Sequence, residues 1–194
     1  MKKQPEITMQ TRKNLADAFW QIYCEKRIEK ITVKDITTKA GYNRSTFYEY
    51  FTDVYDVLEQ IESSVLPDIE KHKKIVPNKY MQFPLKHLVE VYSKNKEYFI
   101  VLLGKNGDPA FQEKMKNTYK DLVRPLLQSY ESDEYILEYG LEYGMSAIIG
   151  MITYCFTREE HPDIERMVRL LDNFMNDGIL KNFILIKKTG QTSD

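Results

Sequence analysis

Apolar residues along this chain recur at spacings of three and four, the period of amphipathic helices. Leu15, Phe19, Ile22 and Tyr23 share a face over residues 11–27, with Thr11 placed to cap the start and Arg12 and Lys13 in the first turn. The stretch from Thr32 to Phe51, TVKDITTKAGYNRSTFYEYF, predicts two short helices across a tight turn. Thr32 and Asp35 have capping-box spacing, Val33, Ile36 and Ala40 share a face, and Gly41 stands where a chain leaving a helix often needs positive φ. Asn43 is then the cap of a second helix that aims Phe47 and Phe51 the same way and leaves Arg44, Ser45, Thr46, Tyr48 and Tyr50 on its other faces. A fourth helix is predicted from Asp53, with Asp56 three residues on and Val57, Leu58, Ile61 and Val65 inward, until Pro67 kinks or ends it.

Beyond Pro77 the pattern is helix after helix, with no strand-like alternation. Pro84 suits a first helical position ahead of Leu85, Leu88, Val89 and Tyr92. Tyr98, Phe99, Ile100, Leu102 and Leu103 form a segment ending at Gly104. Asp108 and Pro109 open a long one through Phe111, Met115, Tyr119, Leu122, Leu126 and Leu127, bent by Pro125. From Ser132 to about Thr157, Gly140, Gly144, Ile148 and Ile152 line one face, where small residues admit a close neighbour. From Pro162 to about Lys188, Met167, Leu171, Phe174, Gly178 and Phe183 belong to an apolar surface wider than one small core needs. Two such helices suit pairing with their symmetry mates as a four-helix bundle; the alternative is that both close the chain's own core.

Charge changes the picture. The net charge of −1 divides into +4 over residues 1–51 and −5 over the remainder, so the positive part surrounds the 32–51 hairpin. That layout suits a helix-turn-helix reading the DNA major groove, although any compact αα-hairpin would use the same caps and glycine. The first ten residues, MKKQPEITMQ, lack the apolar region of a signal peptide and read as a flexible basic arm. The longest nearly apolar run, Tyr143–Phe156, falls short of the ~20 residues that span a bilayer. A soluble cytoplasmic protein is expected, with Cys24 and Cys155 as reduced core thiols.

Catalytic constellations are missing from the sequence. His72, His87 and His161 have no partner at ligand spacing, the two cysteines form no zinc pattern, and no phosphate loop, G-x-S-x-G or H-E-x-x-H occurs. A non-enzymatic role without cofactor or metal is expected.

VKDITTKAGYNRSTFYEYF, preceded by a helix from about Thr11 and followed by TDVYDVL, resembles the DNA-binding domain of TetR/AcrR transcriptional regulators over roughly residues 9–60. The family's pattern is a capping Ser or Thr leading into V-x-D-I-x-x-x-A-G-V, then a polar N-cap and a recognition helix ending in L/F-Y-x-x-F. Three departures stand out: Arg27 for a helix-ending glycine, Val54 for a frequent phosphate-holding lysine, and Glu49, an acid beside the DNA backbone.

The resemblance implies an all-α protein of about nine helices, with a DNA-binding unit at residues 1–62 and a larger effector-binding and dimerisation unit at 63–194. Its expected partners are double-stranded DNA at a near-palindromic operator, a second copy of the chain, and a small apolar or aromatic effector that releases a repressor. A purely dimerising or protein-binding C-terminal part, an activator, and an interaction module without DNA are the other readings. Lys2, Lys3, Arg12, Lys13 and Lys34 are expected at phosphates, with backbone N–H groups at Thr11 and Thr32. Asn43 caps the helix from which Arg44, Ser45 and Thr46 are expected at base edges, with Tyr48 and Tyr50 beside them. Tyr92, Tyr98, Phe99, Phe111, Met115, Tyr119, Met145, Met151 and Tyr154 are the residues expected to line an effector pocket, although aromatic and methionine residues at helical spacing equally make plain core.

Overall fold

The computed structural model describes residues 5–67, 91–129, 131–158, 163–175 and 178, and these residues contain no strand. In the N-terminal part, α1 (Pro5–Tyr23) is followed by a 3-10 turn (Ile28–Lys30), α2 (Val33–Ala40), α3 (Arg44–Tyr48) and α4 (Val54–Val65). Residues 91–94 are helical, and α5 (Lys96–Leu102), α6 (Pro109–Gln128), α7 (Glu134–Phe156) and α8 (Ile164–Phe174) follow.

The first helix begins earlier than its apolar pattern. Pro5, with its fixed φ and no N–H to satisfy, opens α1, and the Gln10 amide donates to Asn14 Oδ1 at 2.7 Å one turn on. Residues 5–10 are therefore helical rather than part of a loose arm, and Thr11 is a buried mid-helix residue rather than a cap. Leu15, Phe19 and Tyr23 are fully buried, and α1 ends at Tyr23, ahead of Arg27.

The hairpin forms for the reasons its sequence supplies. The Thr32 hydroxyl accepts the Asp35 N–H at 3.2 Å, while the Thr32 N–H donates to Asp35 Oδ2 at 3.0 Å, closing the capping box. Bonds from Thr32 hold the Asp35 carboxyl below the ordinary aspartate range, so this contribution to stability is present above that range and fades as pH falls through it. Gly41 ends α2 at φ +73°, a left-handed conformation that an L side chain would strain. Ile36, Phe47 and Phe51 then meet α1 and α4 in one core, joined by Val57, Leu58, Ile61 and Val65. The Asn14 amide donates to the Tyr42 hydroxyl at 3.0 Å, tying α1 to the turn.

Asp108 caps α6 through the Ala110 N–H at 2.8 Å, with Pro109 in its first turn. Before it the α5–α6 connection is tight: a Cβ on Gly107 would sit 1.9 Å from the Leu102 carbonyl oxygen, so only glycine fits. Phe111, Met115, Tyr119, Leu122, Val123, Leu126 and Leu127 form the buried face of α6, and Pro125 sits on the outer face. Opposite them α7 buries Leu137, Leu141, Met145, Ile148, Ile149 and Ile152.

Between α6 and α7 runs an ionic ladder. Lys116 and Lys120 reach Glu142 at 2.7 and 3.0 Å, Lys120 reaches Glu138 at 3.7 Å, and Arg124 contacts both Glu138 and Glu134. Basic residues four apart ascend one helix as acidic residues four apart descend the other, which fixes an antiparallel register. Two lysines donating to it pull the Glu142 carboxyl down to about 2.

Cys24 is exposed just past α1, and Cys155 is half-buried. The expectation of two core thiols is corrected for Cys24, because α1 ends one residue before it.

Thr32→Ala is expected to lower stability by ~1 kcal/mol through loss of the cap, read as a drop in the thermal midpoint. Glu142→Gln, at a nearly half-exposed carboxylate, is expected to cost only ~0.2–1 kcal/mol, a difference that shrinks with added salt. Because its folded pKa is depressed, Glu142's contribution is full above the ordinary glutamate range and is lost as pH falls toward about 2.

Candidate nucleic-acid interface

The free face of the hairpin is built around one side chain. Asn43 Oδ1 accepts the Thr46 N–H at 2.9 Å, the Ser45 hydroxyl at 2.6 Å and the Thr46 hydroxyl at 2.9 Å. Those bonds commit the hydroxyl protons inward and leave the oxygens' lone pairs outward. In this arrangement Ser45 and Thr46 present acceptors, matching the amino groups of cytosine or adenine rather than the acceptor edge of guanine. Arg44, exposed at the first position of α3, supplies the complementary donors.

Aromatic side chains flank this face. Tyr48 is 58% exposed and meets the Phe47 ring edge-on at 5.5 Å, so a buried ring braces it. Tyr50 is half-buried and packs on the core, its ring partly committed to the fold. Glu49 is exposed at the end of α3. Val54 opens α4 half-buried, and next to it Tyr55 is 53% exposed, an aromatic residue that the sequence reading passed over. Its place among the outward positions of α4 was the available signal.

The groups expected at phosphates separate into two kinds. Lys34 stands exposed in the first turn of α2, and Lys13 is exposed on α1; Lys2 and Lys3 lie outside the described residues. Thr32 has its own N–H and hydroxyl engaged by Asp35, so it contributes as a cap, and the backbone N–H groups left at that helix start belong to the residues after it. Thr11, inside α1, offers no helix N-terminus, which corrects its expected role there. The Arg12 guanidinium donates to Gln60 Oε1, Gln60 donates to Asp56 Oδ1 at 2.7 Å, and Asp56 Oδ2 accepts the Thr52 N–H at 2.8 Å. That chain of bonds, led by the Thr52 N–H, holds the Asp56 carboxyl below its ordinary range and ties Arg12 to the start of α4. A cleft of about 340 Å³ opens beside Arg12 between α1 and α4.

Further along the chain, the expected pocket residues are mostly core. Tyr92, Phe99, Phe111, Met115, Tyr119 and Met145 are buried, and Tyr98 and Met151 half-buried. Tyr92 and Phe99 stack at 4.1 Å, the Tyr92 hydroxyl donates to Met115 Sδ at 2.7 Å, and the Tyr119 hydroxyl is buried without a hydrogen-bond partner among the described residues. Tyr154 is 57% exposed beneath the Arg158 guanidinium at 4.4 Å, on the outer face of α7.

The residues expected between two copies divide between the chain's own core and its surface. Gly144, Ile148, Ile152, Met167 and Leu171 are buried within the chain, because the small-residue face of α7 meets its own neighbours. Gly140 and Gly178 are half-buried, Phe174 is exposed, and Phe183 lies outside the described residues. The outer face of α7 instead carries Tyr135, Tyr139 and Tyr143, each more than half exposed, at a spacing of four. Among the described residues no helix is long and apolar enough to cross a membrane.

The fold has solved relatives. A TetR transcriptional regulator from Streptococcus agalactiae 2603V is similar at 19% identity, with 87% of this chain and 95% of that one covered and a TM-score of 0.66. The dihydroxyacetone kinase operon activator DhaS is similar at 20% identity, over 90% of this chain and 97% of that one, with a TM-score of 0.58. A search of curated protein sequences gives no match. Residues 79–177, just over half of the chain, match the family model of a transcriptional regulator C-terminal region of TetR type. With an N-terminal helix-turn-helix, a helical C-terminal part and that family match, the chain belongs to the TetR family of transcriptional regulators.

Proposed function

We propose that the chain binds a near-palindromic DNA operator as a homodimer in the cytoplasm and acts as a repressor released by a small ligand. The observation that carries the DNA-binding reading is the exposed face of α3, where Arg44, Ser45, Thr46 and Tyr48 stand on a capped, core-anchored helix in the basic part of the chain. Arg44 donates to a guanine edge, Ser45 and Thr46 accept from base amines, and Lys34 and Lys13 neutralise phosphates. Arg12 reaches phosphate only by exchanging Gln60 for it, so its contribution is smaller than its charge suggests.

Residues 1–62 form the DNA-binding unit and 63–194 the regulatory unit, with α4 running across the division as their shared element. Support for a second copy comes from the outer face of α7 and α8, where Tyr135, Tyr139, Tyr143, Tyr154, Leu170 and Phe174 remain exposed in one chain. Aromatic side chains with a polar tip suit an interface that is wet in the monomer and buried in the dimer. The buried Tyr119 hydroxyl, without a hydrogen-bond partner among the described residues, supports an effector carrying one polar group on an apolar body. Such a ligand shifts the equilibrium only by binding the released form more tightly than the DNA-bound form.

A second reading makes the protein an activator, and the name of the structural relative DhaS favours keeping it. Selection of bound sequences from a random DNA library tests the shared core of both. A two-fold site is expected, and recovery of no enriched sequence overturns the DNA-binding reading.

On the selected site, Arg44→Ala is expected to lose ~1–3 kcal/mol and relax specificity at one base, whereas Lys34→Ala weakens all DNA alike and reduces the salt slope by about 1. Anisotropy titrations at several salt concentrations read both. Lysines in place of Tyr139 and Tyr143 are expected to give a folded monomer by light scattering, since like charges would then face each other across a two-fold axis. A persistent dimer would place the interface elsewhere.

A further inference from the structure

Where α1, α4 and α6 meet, the structure holds a buried charge that packing alone does not require. Glu62, on the last turn of α4, is 6% exposed, and its Oε2 accepts from Lys114 Nζ on α6 at 3.2 Å. Lys114 also donates to Ser63 Oγ at 3.3 Å and is itself a third exposed. Among the described residues the other carboxylate oxygen of Glu62 is buried without a hydrogen-bond partner, and the buried Tyr23 hydroxyl has only the nearby Asp108 backbone N–H acting on it as a donor. Burial pushes the Glu62 carboxyl above the ordinary glutamate range, with Lys114 acting in the opposite direction. Asp108, at the start of α6, adds a second negative charge that both Tyr23 and Glu62 feel.

The rest of this joint is simpler. Trp20 on α1 packs on Tyr98 of α5 with ring centroids 4.5 Å apart, and the Asn106 amide donates to the Cys24 carbonyl at 3.4 Å. Gly107 fixes the approach of the α5–α6 connection, so the start of α6 is held rigidly against α5. Val57, Leu58 and Ile61 bind α4 to the core that positions α3. Alongside the apolar contacts of the shared core, a shift of α6 therefore reaches α4, and through it α3, by way of a charge pair whose acid is only half satisfied. A leucine at position 62 would pack without desolvating a charge; the pair costs stability and supplies a contact that is either made or broken.

We propose that Glu62 and Lys114 form a charge latch between the regulatory helices and α4, positioning the recognition helix and so setting the half-site spacing that the dimer accepts. The proposal rests on the dimeric DNA-binding reading for its consequence, while the latch itself can be read without DNA. Lys114→Met removes the charge but keeps the apolar stem, and Lys114→Arg restores the charge.

Hydrogen exchange of the full chain is the first measurement. Lys114→Met is expected to speed exchange in the last turns of α4 and the first turns of α6, leaving α2 and α3 unchanged, with Lys114→Arg close to the natural protein. An unchanged exchange pattern in Lys114→Met overturns the latch whether or not the protein binds DNA. The second measurement is affinity for the selected operator with one or two base pairs added or removed between half-sites. The natural protein is expected to favour one spacing by at least about tenfold. Lys114→Met is expected to flatten that preference to within about threefold at similar best affinity, with recovery in Lys114→Arg. Faster exchange with an unaltered spacing profile would reduce the pair to a structural contact and overturn its positioning role. Absence of operator binding by the natural protein defeats the DNA-binding reading and the spacing consequence, with exchange still deciding the latch.

Discussion

Anchorage of Phe47 is the constraint on which this structure depends. The recognition helix has only five residues, far below the ~12–15 at which an isolated helix becomes even marginal in water. It exists because Asn43 satisfies its first turn and Phe47, fully buried beside Phe51, holds its inner face against α1 and α4. Every outward residue inherits its position from that anchor. Tyr48 is braced by the same ring, and the hydroxyls of Ser45 and Thr46 are oriented by the same asparagine. The surface offered to a ligand as large as DNA is thus as rigid as the small core beneath it, which suits recognition that depends on hydrogen-bond direction.

That core is shared with α4, and α4 is shared with the regulatory helices. Its two faces do different work: an apolar face belongs to the DNA-binding core, and Glu62 near its end belongs to the contact with α6. On the far side of α6, the ladder from Lys116 to Arg124 locks α7 in antiparallel register. Each of those pairs is partly exposed and weak alone, so their effect is on register more than on stability. At the Glu62 joint the acid is buried, and a pair with one buried partner responds more sharply to a small displacement because solvent screens it less.

Local chemistry made much of this legible from the residues. The Thr32–Asp35 box, the left-handed Gly41, the Asn43 cap, the Asp53 start and the Asp108–Pro109 start are formed within a few residues of backbone, so short-range spacing is sufficient to find them. Errors arose where the outcome depended on what lies across a gap. Thr11 resembled a cap because the apolar pattern starts there, but Pro5 carries the helix back by six residues. Arg12 is exposed on α1 as a phosphate contact needs, but only the fold shows the Gln60 it would have to exchange. Glu62, Lys114 and Tyr23 are distant in sequence and have ordinary amphipathic spacing, so nothing local marks them as a buried polar cluster.

The reversed faces of α7 follow from the same limit, and they carry a further step. A helix apolar around much of its circumference states that two surfaces need covering without stating which neighbour covers which. Glycine admits a close neighbour and isoleucine loses most by contact with water, so the chain's own core takes the side of Gly144, Ile148 and Ile152. Tyrosine tolerates water through its hydroxyl and still brings a large apolar ring, so Tyr135, Tyr139 and Tyr143 occupy the side left exposed in the single chain. A face of leucines there would make the lone chain prone to aggregation, and a face of lysines would forbid association. The tyrosine spacing of four keeps the three rings in one line along α7, the arrangement that an antiparallel copy of the same helix, turned about a two-fold axis, can meet with an identical line of its own.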